Sequence, residues 1–156
     1  MRIRVLAVGR KMPDWIESGV DEYCRRLPND FRLEWVDIKG ANRGSGSGEK
    51  YRRQESEAIL AKLKQGDLVV ALDIKGVPVS TEKIANKLGK WRMHGRQLSL
   101  LIGGADGLDE KLIETASERW SLGSITLPHP LVRIILAEQI YRAWSIIAGH
   151  PYHRGN

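Results

Sequence analysis

The chain has 156 residues, a length that accommodates one domain with a substantial core but not two. Lysine and arginine number 25 against 19 aspartates and glutamates, and the resulting formal charge of +6 suits a polyanionic partner such as a nucleic acid. A moderately basic enzyme without such a partner would carry the same charge, so composition leaves both classes open. No apolar run approaches the ~18 residues of a membrane span, and the lone cysteine, Cys24, excludes an internal disulfide.

The first part of the chain alternates strand-like and helical patterns. Residues 3–9 form an apolar run that ends in glycine and predicts a buried strand rather than a signal peptide, so we expect a cytoplasmic protein. Pro13 and Asp14 open a helical pattern that Pro28 stops. The next segment, 31–38, alternates apolar and polar residues and predicts a second strand.

A glycine-rich basic loop is predicted at 39–48. Gly40, Gly44, Gly46 and Gly48 cannot bury a side-chain core. The segment lacks the lysine-serine/threonine ending of a P-loop, which disfavours a phosphate cradle of that type. Two interpretations stay open: a disordered linker, and a loop that becomes ordered on RNA or a cofactor.

The rest of the chain continues the alternation. The predicted elements are, in order, a helix over 49–65, a strand over 67–73, a helix from Ser80 through Trp91, a strand over 97–102, a glycine turn at 103–107, a short helix over 109–117, a strand over 124–127 and a last helix to about Ala148. Apolar strands separated by helices predict an α/β fold with a mostly parallel sheet and helices on both faces. Such sheets bind ligands outside the carboxyl ends of their strands.

The last helix is unusually apolar. With residues placed ~100° apart from Leu131 onward, its apolar arc covers roughly 200°, wider than the ~100° stripe that one core needs. The pattern predicts two buried faces, one against the sheet and one against an oligomer partner, although a central helix of a single domain also fits. Arg133 lies within this arc and needs a polar partner, whereas Glu138 and Arg142 have the spacing of a structural ion pair.

Five ordered segments carry a resemblance to a known family. They are 100–104 (LLIGG), 122–127 (LGSITL), 127–133 (LPHPLVR), 138–144 (EQIYRAW) and 150–154 (HPYHR). The set resembles the SPOUT-class RNA methyltransferases, and among them the small family that methylates ring nitrogen 3 of a pseudouridine in large-subunit (23S) ribosomal RNA. The resemblance spans essentially the whole chain as a single domain, 1–156.

The resemblance implies a parallel sheet whose C-terminal part forms a deep trefoil knot, which no sequence periodicity could indicate. It also implies S-adenosylmethionine as the cofactor, no metal ion, no membrane association, and a homodimer through the C-terminal helix. The residues implied for cofactor binding are Leu72, Gly103, Gly104, Leu122, Gly123, Ser124, Ile125, Thr126 and Leu127. The implied substrate is ribosomal RNA within the assembled ribosome.

The resemblance also implies that the C-terminal tail lies at the active site. The candidate catalytic residues are His129, Arg133, Tyr152, His153 and Arg154. The arginines suit a phosphate or a developing ring anion, Tyr152 suits base stacking, and His153 suits proton transfer or hydrogen bonding. His129, between two prolines, is either a structural turn residue or a base. Two other functions remain open: a related enzyme acting on a ribose 2′-hydroxyl or another base, and a non-catalytic ribosome-associated RNA-binding protein.

Overall fold

The structure is a computed structural model that describes residues 1–9 and 11–155. Within them, strands and helices alternate along the chain. The elements are β1 (Arg2–Val8), α1 (Asp14–Cys24), β2 (Arg32–Ile38), α2 (Gly48–Lys62), β3 (Leu68–Pro78), α3 (Thr81–Met93), β4 (Leu98–Ile102), α4 (Glu110–Thr115), β5 (Glu118–Ser121), α5 (His129–Ala148) and a C-terminal 3-10 helix (Pro151–Arg154). The strands form one sheet in the order β2-β1-β4-β3-β5. Every pairing is parallel, which confirms the predicted α/β class.

The central strands are buried on both faces because helices cover each side of the sheet. In β1, Ile3, Val5 and Ala7 face one core and Leu6 and Val8 the other, as the period of two in a strand requires. The first core contains residues of α1, α3 and α5, and the second contains residues of α2 and α4. Continuous apolar strands therefore arise from two cores that share one sheet.

The middle of α5 is the best-buried helical surface in the first core. Leu136, Ala137, Ile140 and Ala143 have no exposed surface, so truncating a residue such as Leu136 to alanine would cost ~2–5 kcal/mol of stability. Other apolar residues of α5, including Ile135, stay partly exposed. One chain thus buries only part of the wide apolar arc.

The predicted fifth strand at 124–127 is wrong. The strand is β5, Glu118–Ser121, where Trp120 pairs with Leu72 of β3 and is almost fully buried. Gly123 has a φ of 138°, a conformation that favours glycine and interrupts the extended run. Residues 122–127 connect β5 to α5 without forming a helix or strand, and Ile125 is 78% exposed. The apolar residues of that segment therefore lie in a surface connection and not in a buried strand.

None of the helices in the described part of the chain has the length and apolar character needed to cross a bilayer.

Candidate active site

The parallel sheet gathers several functional side chains at its carboxyl edge. Gly9 follows β1, Asp37 lies near the end of β2, and the glycine turn follows β4. The first turn of α5 lies at the same edge, since a Cβ added to Gly9 would lie 3.4 Å from Arg133 Nη2 and 3.6 Å from His129 Nε2. The structure therefore brings two of the five predicted catalytic residues, His129 and Arg133, together beside the strand ends.

Arg133 is the most constrained charge in this cluster. It is only 5% exposed, and its Nε donates to His129 Nε2 at 3.0 Å while its Nη1 donates to Asp37 Oδ1 at 3.0 Å. Its guanidinium carbon lies 5.6 Å from the centre of the Trp35 ring. Nη2 is buried and has no hydrogen-bond partner among the described residues. A buried cationic donor without an acceptor is costly, and this one is available to an anionic or carbonyl group of a ligand.

His129 is held as a neutral ring. Burial lowers its pKa, and the positive charge of Arg133 lowers it further, against a smaller opposing effect of a hydrogen bond with the Gly103 backbone. Because Arg133 Nε donates to Nε2, that nitrogen acts as an acceptor and carries no proton. The ring thus links Arg133 to the glycine turn. Because Nε2 already accepts a hydrogen bond from Arg133, His129 is a weaker candidate for the proton acceptor.

The first two glycines of the turn, Gly103 and Gly104, have no space for a side chain. A Cβ at Gly103 would lie 2.5 Å from the carbonyl carbon of Gly107, and one at Gly104 would lie 3.1 Å from Glu55 Oε1. The buried Glu55 of α2 supports the turn from behind and accepts a hydrogen bond from the Ala41 backbone at 3.1 Å. Because Glu55 packs against one side of the turn, the glycine backbone is the part of the turn that a ligand would contact.

The basic loop at 39–48 packs against that turn. Arg43 forms a 2.5 Å ion pair with Asp106 and lies over the ring of Tyr51. Ser47 caps α2 by accepting a hydrogen bond from the Lys50 backbone at 3.3 Å. The loop thus joins the glycine turn to the start of α2.

The segment 122–127 follows β5 and supplies backbone donors at the carboxyl edge of the sheet. Ser121 Oγ accepts from the Gly123 N–H at 3.2 Å and fixes the start of the segment. The N–H groups of residues 124–127 donate to no described residue. Leu72, the third part of the predicted cofactor site, ends the regular β3–β5 ladder opposite Trp120.

These backbone groups fit an adenosyl cofactor. Unpaired N–H and C=O groups can hydrogen-bond the edges of an adenine, and the bare glycine turn allows close approach of a ligand. The described residues contain no group of three or more His, Cys, Asp or Glu side chains that could hold a metal ion.

The C-terminal tail is an ordered 3-10 helix packed on the second half of α5. Tyr152 Oη donates to Glu138 Oε1 at 3.1 Å, and the Tyr152 ring packs edge-on against Tyr141 with 4.6 Å between centroids. Arg142 lies over the Tyr152 ring at 4.9 Å and donates to the Gly155 carbonyl at 3.1 Å. The predicted pair of Glu138 with Arg142 is confirmed at 2.6 Å.

Tyr152 stays a protonated phenol at neutral pH. Burial, and then the negative charge of the Glu138 carboxylate that accepts its hydrogen bond, raise the pKa of Tyr152 to about 12. His153 Nδ1 lies 2.7 Å from the carbonyl oxygen of His150, and Arg154 is exposed. Tyr152 is thus suited to binding or positioning rather than to accepting a proton.

The five predicted catalytic residues therefore form two groups within one chain. Glu138, which holds the tail, lies nine residues beyond His129 on α5, a separation of ~14 Å along a helix. Tyr152, His153 and Arg154 are not brought to the Arg133 cluster by their own chain.

Three residues around the site were missed by sequence reasoning. Asp37 and Trp35 contact Arg133 from β2, and Glu55 supports the glycine turn from α2. Asp37 gave a usable signal because it sits next to the carboxyl end of a predicted parallel strand. Glu55 gave none, since it resembles any other acidic residue of a charged helix.

A parallel α/β sheet with a tight glycine turn and unpaired backbone donors at its carboxyl edge is typical of the class of α/β enzymes that bind ligands at that edge. Within that class, the chain belongs to the SPOUT methyltransferase family: the family model described as "Predicted SPOUT methyltransferase" matches residues 1–153. The family resemblance seen in the sequence is thereby confirmed.

Full-length relatives agree with this assignment. The chain is 53% identical over 155 residues to the ribosomal RNA large subunit methyltransferase H of Chromohalobacter salexigens, covering 99% of this chain and 100% of that protein. Proteins with the same name from Marinomonas sp. and Pseudomonas putida strain GB-1 are 49% and 47% identical over the same shares.

Proposed function

We propose that this protein is an S-adenosylmethionine-dependent methyltransferase that modifies N3 of a pseudouridine in large-subunit ribosomal RNA, acting in the cytoplasm on the assembled ribosome. The observation that carries the proposal is the contact of Arg133 and His129 with the carboxyl edge of the sheet, beside the glycine turn. The relatives are ribosomal RNA large subunit methyltransferases H, which supports ribosomal RNA as the substrate.

The cofactor would be held by Leu72, the glycine turn and residues 122–127. When bound, it supplies an electrophilic methyl group on a sulfonium sulfur. Alignment of the target nitrogen with that methyl group is the main task of the protein, since orientation alone can contribute ~7–11 kcal/mol to lowering a barrier.

Arg133 is the residue we assign to the target base. N3 of a pseudouridine carries an imide proton, and loss of this proton to solvent leaves negative charge on the ring before N3 bonds to the methyl carbon and the carbon–sulfur bond breaks. Arg133 Nη2, a buried donor without a described partner, would stabilise that charge. His129 holds Arg133 in place through the 3.0 Å contact with Nε.

The tail would reach this site from a second copy of the chain. We propose a homodimer through α5, whose partly exposed apolar residues include Ile135. A two-fold axis that pairs two α5 helices in opposite directions would bring the tail of one chain to the His129 end of the other. We also propose that the connection from β5 to α5 takes part in the trefoil knot implied by the family.

Methylation of ribosomes tests the proposal directly. Ribosomes from a strain lacking the corresponding methyltransferase are incubated with the protein and S-adenosylmethionine, and the modified nucleotide is mapped by mass spectrometry. We expect one methyl group on the base of one pseudouridine. A methyl group on a ribose oxygen would favour the related enzyme class instead, and no cofactor binding in calorimetry would favour a non-catalytic RNA-binding protein.

A further inference from the structure

The sequence of α3 places three lysines along one side of the helix. Lys83, Lys87 and Lys90 are spaced at i, i+4 and i+7, so they form a stripe ~10 Å long. A groove of about 620 Å³ lies between this stripe and the β3–β5 edge of the sheet. Its charged lining consists of the three lysines, Arg119 and a single carboxylate, Glu118.

The one carboxylate in the groove is already engaged. Glu118 Oε1 accepts from Lys87 Nζ at 2.7 Å, and Glu118 Oε2 accepts from Trp120 Nε1 at 2.6 Å. Arg119 is likewise paired, with Asp73 and with Glu110. These pairs fix the floor and one wall of the groove.

Two cations remain without a counterion. Lys83 and Lys90 are exposed and make no ion pair with any described residue. They flank Lys87, whose ammonium lies 6.0 Å from the centre of the Trp91 ring. Trp91 in turn stacks on Trp120 with 8° between ring planes, so its half-buried surface is rigidly held. A rigid aromatic wall between free ammonium groups suits a nucleic acid strand.

The groove leads to the predicted cofactor segment. Pro78, which lines it, pairs with Ser121, and the Val79 N–H donates to the Ser121 carbonyl at 3.1 Å. Ser121 directly precedes residues 122–127. A strand whose target nucleotide lay at the carboxyl edge could therefore continue down the groove.

We propose that this groove binds the phosphate backbone of ribosomal RNA next to the target nucleotide, with Lys83 and Lys90 as phosphate contacts. The inference rests on the proposed function for the identity of the RNA. It assigns the substrate a second contact surface, on the α3 face of the sheet, in addition to the Arg133 site.

The test compares two charge-matched double variants. K83Q/K90Q removes the two unpaired groove cations, and K62Q/K64Q removes two exposed lysines at the end of α2, on the opposite face of the sheet. Glutamine is close to lysine in helix propensity, so both variants should fold. The affinity for ribosomes is measured by co-sedimentation as a function of salt concentration.

Each phosphate contact contributes ~0.7–0.9 to the slope of log affinity against log salt, so K83Q/K90Q should flatten the slope by about 1.4–1.8. If the affinities converge at 1 M salt, that variant binds about 25- to 60-fold more weakly at 0.1 M. K62Q/K64Q should keep the wild-type slope. Equal slopes for the two variants would overturn the inference.

Photocrosslinking on intact ribosomes separates RNA from a ribosomal protein as the partner. Crosslinks to large-subunit RNA from a photoreactive group placed at position 83 or 90 support the inference, whereas crosslinks to ribosomal protein alone would assign the groove to a protein contact and overturn it. No methyl transfer is needed for either arm. Absence of methylation would therefore contradict the proposed function while leaving the groove result to be judged separately.

Discussion

The two halves of α5 carry similar polar groups, but these groups differ in whether all their hydrogen bonds are made. In the second half, Glu138 accepts hydrogen bonds from Arg142, Tyr152 and Gln139, so its carboxylate is saturated. In the first half, Arg133 has one buried donor without a described partner, and its counterion Asp37 has a side chain that is 69% exposed. Both halves pair an arginine with a carboxylate and a hydrogen-bonding ring.

This difference indicates that the second half of α5 holds the tail, whereas the first half binds a ligand. A saturated network gains nothing from a ligand and fixes the position of the tail. An unsatisfied buried donor gains a hydrogen bond only when a ligand arrives, so the first half is the better candidate for the reacting base. Variants of the tail, Arg133, His129 and Glu138 test this division of roles.

Deleting Tyr152 to Asn156 should abolish methylation while the protein remains folded and dimeric. The deletion removes the hydrogen bond of Tyr152 to Glu138, that of Arg142 to the Gly155 carbonyl and the ring contacts of Tyr152, worth ~2 kcal/mol together, so the unfolding midpoint should fall by ~4–8 °C. Methylation of ribosomes, thermal unfolding and gel filtration provide the three measurements. Full activity in the truncated protein would refute a role for the tail.

Mixing the truncated protein with R133A asks which chain supplies the tail. If the tail acts on the partner, each mixed dimer has one intact site, and random exchange should restore about a quarter of the wild-type sites. The expected gain is measured as methylation after unfolding and refolding of the mixture. If the tail acted within its own chain, neither site of a mixed dimer would be intact, and the mixture would be no more active than each variant refolded alone, which is the control. No gain over these controls contradicts the shared site.

Arg133→Ala should lower kcat by about 10²- to 10³-fold, the effect of losing one donor to a developing anion. Arg133→Lys keeps the positive charge but loses the fork that reaches His129 and Asp37, so it should recover little of the rate. Calorimetry should show cofactor affinity near the wild-type value in both variants. A loss confined to cofactor binding would place Arg133 at the cofactor rather than at the base.

His129→Gln should reduce the rate by less than about tenfold, because the glutamine oxygen can still accept from Arg133 Nε, whereas loss of a general base costs ~10²–10⁴. The lowered pKa of His129 keeps the wild-type ring neutral from neutral pH upward. The wild-type rate should therefore show no loss of activity there from histidine protonation. A decrease of more than a hundredfold would restore His129 as the base.

Some of these contacts could be predicted from the sequence and others could not. The Glu138–Arg142 pair follows from spacing within one helix, and the strands follow from apolar periodicity. The contact of Arg133 with Asp37 joins residues 96 positions apart, which no local pattern encodes. The position of β5 was mispredicted for the same reason: the burial of Trp120 depends on pairing with β3.

The smallest effect concerns the proton of Tyr152. Because its pKa is raised from 10 to about 12, the native state retains this proton while the unfolded chain loses it, so the associated stability is present below pH 10 and is lost as the pH rises toward 12. Absorbance titration should show a tyrosine fraction that ionises late. In Tyr152→Phe this late fraction should disappear.

Glu138→Gln supplies the matched variant, since it removes the carboxylate charge but keeps an acceptor for Tyr152 Oη. The late ionisation should then move toward the ordinary tyrosine range, because the negative charge of Glu138 is the second cause of the shift after burial. An unchanged titration in Glu138→Gln would mean that burial alone sets the pKa of Tyr152. The saturated network around Glu138 would then hold the tail by packing rather than by charge.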